Sequence, residues 1–157
     1  MVEHRLVAGA DASPLVVLDA SHPVDGEALD RAVRAAASLC VYLAPSRGCG
    51  LLLSGDRAPR EIDRQLNAWP RAHARLAMVR GGAAPPAAWR ARSGAALFWV
   101  NAAADPPAGL RGSPSSAFYL VSANPLPGLE TVFTVAGCQG QRLAAARRRL
   151  AAGRETR

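Results

Sequence analysis

Along the chain, unbroken apolar runs alternate with stretches in which apolar residues recur every three or four positions. Leu15–Leu18 is such a run and reads as a strand buried on both faces. Asp25 then stands where a helix N-cap is expected, with Glu27 in the first turn. Leu29, Val33, Ala36, Cys40 and Leu43 follow at helical spacing. Asp30, Arg31, Arg34 and Ser38 fall away from that stripe, and Pro45, Ser46 and Gly48 end it. Cys49–Ser54 reads as a second buried strand and Gly55–Arg60 as a turn. Helical patterning returns at Asp63–Trp69. Pro70 starts a fresh turn, which continues through Arg71–Val79 with Leu76 and Val79 as apolar anchors. Gly81–Pro86 is a breaker. Ala87–Arg92 reads as a short helix before the third apolar run, Ala95–Val100, and residues 101–116 read as a loop. Ala117–Ala123 and Thr131–Gly137 are two further strands, separated by "NPLPG". Gln139–Ala152 reads as a basic helix with Leu143 and Leu150 on one face. A short edge strand is expected at residues 3–9, followed by a turn at Asp11–Pro14.

Strands that alternate with helices predict an α/β fold: a three-layer sandwich with a mainly parallel sheet flanked by helices, and room for an antiparallel edge strand. The 157 residues fit one domain, taken as residues 1–153 with a disordered basic tail at 154–157. Ligand sites in such folds lie beyond the carboxyl ends of the central strands. "LDASHPVD", which follows the first apolar run, falls there.

The order "PLVVLDAS", "ALDRAVRAAASLCVYLA", "GCGLLLSGDRAPREID" and "AWPRAHARLAMV" resembles the C-terminal half of bacterial proteins in the domain-of-unknown-function family numbered 58. That half is similar to a von Willebrand factor A domain. The resemblance is strongest over residues 14–101 and weaker to about 150. Members usually carry an N-terminal pair of membrane segments, which this sequence lacks. The chain therefore reads as a detached C-terminal domain, either a truncated reading frame or a natural short form. The expected location is cytoplasmic, with membrane association only through a missing N-terminal portion or a partner. Members are often encoded beside MoxR-type AAA+ ATPases and transglutaminase-like proteins. The resemblance thus implies a non-enzymatic adaptor for such an ATPase in envelope or complex assembly.

Domains of this kind often hold Mg²⁺ at a metal-ion-dependent adhesion site. The first loop gives Asp-x-Ser-x-Ser, a later loop a Thr, and another strand end an Asp. Mg²⁺ takes about six oxygens in a near-octahedral shell, which explains those residue types. Asp19 and Ser21 match the first positions. Pro23 replaces the second Ser, Ala83 and Ala84 stand where the Thr is expected, and Asn101 stands in place of the second Asp. The site therefore reads as degenerate: no metal and no other cofactor is expected, with Asp19, Ser21 and Asn101 as vestigial positions. The loop itself reads either as a strand end with capping residues or as a protein-binding face formed by Asp19, Ser21, His22 and Asp25.

Composition changes this picture little. The net charge is +7, and all 19 basic residues are arginine, yet no RNA-binding aromatic motif or zinc-finger spacing accompanies them, so no specific nucleic-acid partner is expected. "RLAAARRRL" reads as a solvated basic helix, with contact to lipid or an acidic protein as the lesser reading. No apolar run reaches the roughly 20 residues of a membrane span. Cys40, Cys49 and Cys138 are odd in number and lack metal-site spacing. Cys138, read as lying between a strand and a helix N-terminus, supports the alternative function: a small cytosolic hydrolase or transferase with a thiol nucleophile. Trp69, Trp89 and Trp99 read as core residues rather than a stacking platform.

Overall fold

The computed structural model describes residues 12–86, 94–105 and 116–143. The described residues form an α/β fold: one seven-stranded mixed sheet and two helices. The elements run β1 (Leu15–Asp19), α1 (Gly26–Arg47), β2 (Cys49–Leu52), β3 (Arg60–Ile62), α2 (Trp69–Ala77), β4 (Leu97–Asn101), β5 (Phe118–Ser122), β6 (Thr131–Val135) and β7 (Cys138–Leu143). In the sheet their order is β3-β2-β1-β4-β5-β7-β6. β1 pairs in parallel with β2 and β4, and β4 with β5. β3 on β2, β7 on β5 and β6 on β7 are antiparallel.

The apolar runs become the parallel strands for the expected reason. Each is covered on both faces, so neither alternate position needs to be polar. Val16, Leu18, Leu51, Phe98, Val100 and Val121 meet the helices in the larger core. Leu15, Val17, Leu52, Leu97, Trp99 and Leu120 form a second cluster on the opposite face. Both described helices pack on the larger core. The buried face of α1 is mostly small: Ala32, Ala35, Ala36 and Ala44, with Leu39, Cys40 and Leu43. It is rotated slightly from the expected stripe, and Leu29 and Val33 are only half-buried. No described helix is long and apolar enough to cross a membrane.

Several boundaries differ from the sequence reading. Of the three residues expected to end helix α1, Pro45 and Ser46 lie inside its last turn, and the helix runs to Arg47. A proline in the last turn removes only one hydrogen bond near a terminus that already has unmatched carbonyls. Gly48, at φ +73°, closes the helix by donating to the Ala44 carbonyl. Residues 63–68 form a turn, not a helix. The Asp63 carboxylate accepts from the Ala68 and Asn67 amides, which holds it below the usual carboxylate range, and α2 begins only at Trp69 with Pro70 in its first turn. Arg60, expected in a turn, opens β3.

The largest departure is at the C-terminal side. Cys138–Leu143 is a strand, not the start of a basic helix, and it lies between β5 and β6. The two-residue link Ala136–Gly137 has φ of +48° and +80°, the double positive of a tight hairpin turn. Gly140 is required by packing: a Cβ there would collide with the ring of Phe133, which crosses it to reach Phe98 and Tyr119. The expected strand at 3–9, helix at Ala87–Arg92 and tail at 154–157, the continuation of the basic helix to Ala152, and Trp89 all lie outside the described residues.

Candidate functional site

The strand order reverses between β1 and β4: the chain builds outward from β1 to β2 and β3, then returns to place β4 and β5 on the other side. At such a switch point the loops leaving neighbouring strands diverge and open a crevice. Here the crevice has a volume of about 640 Å³ and is lined by Asp19, Ser21, His22, Val24, Pro85, Asn101 and Ala103–Asp105.

Three strand ends are built alike. Asp19, Asn101 and Ser122 are in register across β1, β4 and β5, and all three side chains are buried. Each accepts from the amide two residues on: Asp19 Oδ1 from Ser21 at 3.0 Å, Asn101 Oδ1 from Ala103 at 3.2 Å, and Ser122 Oγ from Asn124 at 3.1 Å. Such side-chain turns end a strand and redirect the chain. The loops are then tied together. The Ala102 amide donates to the Asp19 carbonyl, the Val24 amide to the Ala102 carbonyl, and the Gly82 amide to the Ala20 carbonyl. Asn101 Nδ2 donates to the Asp105 carbonyl at 3.1 Å.

Asp19 differs from its two neighbours. The Ser21 hydroxyl donates to its Oδ1 at 2.6 Å, alongside the Ser21 amide, while Oδ2 is buried and has no hydrogen-bond partner among the described residues. A buried carboxylate oxygen without a donor is costly, on the order of 1–3 kcal/mol. The site is therefore incomplete at this atom.

Asp19, Ser21, His22 and Asn101 thus share one crevice. Asp25 does not line it: its carboxylate accepts from the Ala28 amide at 2.8 Å and caps α1. Sequence reasoning missed Ser122, whose signal was its place at the end of an apolar run, equivalent to that of Asp19. It also missed Asp105, hidden in a segment read only as a loop.

The amide of Asn101 is already engaged on both atoms, Pro23 has no side-chain oxygen, and Ala83–Ala84 offers none. No group of three histidine, cysteine, aspartate or glutamate side chains suited to a metal occurs among the described residues. Of the side-chain ligands the resemblance implies, Asp19 Oδ2 and the Ser21 hydroxyl are left, and weak binding at most is expected of them. Mg²⁺ or Mn²⁺ at about 10 mM is accordingly expected to shift the melting temperature by less than about one degree, because a weak ligand stabilises by only RT ln(1 + [L]/Kd). Differential scanning fluorimetry of the wild type and Asp19→Ala checks this. A metal-dependent rise of several degrees that vanishes in Asp19→Ala would contradict it.

Cys138 loses the setting that suggested a nucleophile. It follows a hairpin turn and opens a strand rather than a helix. Burial pushes its thiol up, and only Arg31 pulls the other way. Cys40 and Cys49 are also free and buried. The Cys49 thiol, hydrogen-bonded beside it, and burial together hold Cys40 neutral. Trp99 lies in the second cluster, and Trp69 stacks on His73 at 5.4 Å.

Compared with protein-family models, curated proteins and solved structures, the chain matches none.

Proposed function

We propose that this chain is a non-enzymatic protein-interaction module of von Willebrand A-like build, which uses the β1–β4 crevice to seat a donor group of a partner protein. The observation that carries the reading is Asp19 Oδ2: a buried carboxylate oxygen without a partner among the described residues, in a side chain that lines an open crevice at a strand-order switch point. A lysine, arginine or backbone N–H of the partner would complete it. Charge-assisted bonds of this kind are among the stronger contacts an interface makes. Exposed Val24 and His22 beside it give the partner apolar and polar rim contacts. The fold part of the proposal is supported by four successive parallel strands with an antiparallel edge strand, an arrangement the resemblance implies. The resemblance also supplies the partner, a MoxR-type AAA+ ATPase.

Biolayer interferometry with a purified MoxR-type AAA+ ATPase tests the proposal. Asp19→Asn keeps the shape and the Oδ1 acceptor but replaces Oδ2 with a donor. It is expected to weaken binding about ten- to a hundredfold, the scale of one lost charged hydrogen bond, with little change in melting temperature. No binding by the wild type, or equal binding by Asp19→Asn, would overturn it.

A further inference from the structure

A second cavity, of about 610 Å³, lies at the same edge of the sheet but on the helix-bearing side. Its floor is Leu18, Ala20 and Leu53 at the ends of β1 and β2, and its wall is α2. On α2, Ala72 and Leu76 pack into the core, while Arg71 and Arg75, followed at the same spacing by the C-cap residue Met78, line the cavity. Arg80 and Ser54 complete the rim. No acidic side chain lines it among the described residues.

The arginines are incompletely matched. Arg75 meets Asp56 through Nη2 alone, at 2.6 and 2.7 Å, while its Nη1 is buried without an acceptor among the described residues. Burial alone would push the Asp56 carboxyl up, but the Arg75 guanidinium and the Leu53 amide together hold it below its usual range, so Asp56 is a fixed anion that orients Arg75. Arg71 and Arg80 have no ion-pair partner among the described residues. Met78 is 72 % exposed at the opening, a large apolar side chain left in water. The cavity thus combines an apolar floor, unmatched guanidinium donors and a volume typical of small-molecule sites.

We infer that this cavity binds a small organic oxyanion, a carboxylate or phosphate ester with an apolar or aromatic body. The oxyanion meets Arg75 Nη1 with Arg71 and Arg80 at the rim, and the apolar body lies on Leu18, Leu53 and Val79. Guanidinium groups suit this role because their fixed donor fork matches both headgroups. This site is independent of the β1–β4 crevice and of the partner proposed for it.

Heteronuclear NMR of the full chain titrated with phenyl phosphate, benzoate, inorganic phosphate and benzyl alcohol tests the inference. Saturable shifts at the amides of Leu53, Ser54, Ala74 and Val79, with phenyl phosphate or benzoate, are expected. The tighter of the two identifies the headgroup. Inorganic phosphate and neutral benzyl alcohol should each bind at least about tenfold more weakly, since each lacks one half of the recognition. The double variant Arg71→Gln/Arg80→Gln changes exposed side chains only, and it should keep the fold while losing about tenfold or more in affinity. Four results would overturn the site: no saturable shift at those amides, shifts scattered over arginines elsewhere, benzyl alcohol binding as well as phenyl phosphate, or unchanged affinity in the double variant.

Discussion

Phe98→Ala is expected to destabilise the fold by about 4 kcal/mol, the range for deleting a fully buried aromatic ring. Phe98 is inaccessible to solvent and lies at the centre of the larger core. It stacks on its register partner Tyr119, with ring centres 5.0 Å apart, and Phe133 meets both rings edge-on at 5.9 and 5.8 Å. The three rings join β4, β5 and β6, so the loss reaches both the parallel and the antiparallel halves of the sheet. Neighbours cannot close the gap, because Phe133 already passes over Gly140 with no space to spare. For a chain of this size the loss corresponds to a fall in melting temperature of roughly 10 °C. Urea unfolding of Phe98→Ala and Phe98→Leu measures it, with the leucine variant losing less than half as much. A change below about 1 kcal/mol in the alanine variant would mean that the three rings do not form the packed centre described.

Gln141→Leu is the second large effect, expected at about 3 kcal/mol. Gln141 is 2 % exposed on β7. Its Nε2 donates to the carbonyls of Leu126 and Leu129, both at 3.0 Å, and its Oε1 accepts from the Leu126 amide at 2.8 Å. One side chain therefore satisfies three backbone groups of the β5–β6 connection. Leucine has nearly the same volume but leaves all three without a partner, and an unmatched backbone group costs more than the average bond gains. Gln141→Glu separates hydrogen bonding from packing. Near neutral pH its carboxylate would face two carbonyl oxygens, a setting that raises its folded pKa above the unfolded value. The penalty should therefore be largest near neutral pH and fade as pH falls through that raised pKa, because the protonated acid can donate again. Faster hydrogen exchange at the Leu126 amide should accompany the loss in Gln141→Leu, whereas Gln141→Glu keeps an acceptor for it. Wild-type stability in Gln141→Leu would show that water, not Gln141, serves those backbone groups.

Both residues show how unevenly the fold is written in the chain. Phe98 lies in an unbroken apolar run, and burial on both faces leaves that mark whatever the topology. The same holds for β1, β2 and β5, and a cap plus a helical period was enough to locate α1. Gln141 lies in "CQGQRL", which has no apolar period. Its burial depends on acceptors some 12 to 15 residues away. Polar residues next to an arginine-rich segment imitate a solvated helix until those partners are known. The turn that would have announced the hairpin carries Ala136 rather than Asn or Asp at a positive φ, so its usual signal is absent.

The candidate site divides in the same way. By itself the sequence determined the parallel-strand runs, the α1 cap at Asp25, and the placement of Asp19, Ser21 and Asn101 at strand ends, because strand ends are local events. Only the tertiary structure decided that Asp19, Asn101 and Ser122 stand in one row, and that Asp105 joins the first two at the crevice. It alone leaves Asp19 Oδ2 unmatched and places Arg75 between Asp56 and an open cavity. Those facts depend on strand order and on side chains brought together from distant segments, and local periodicity carries no information about either.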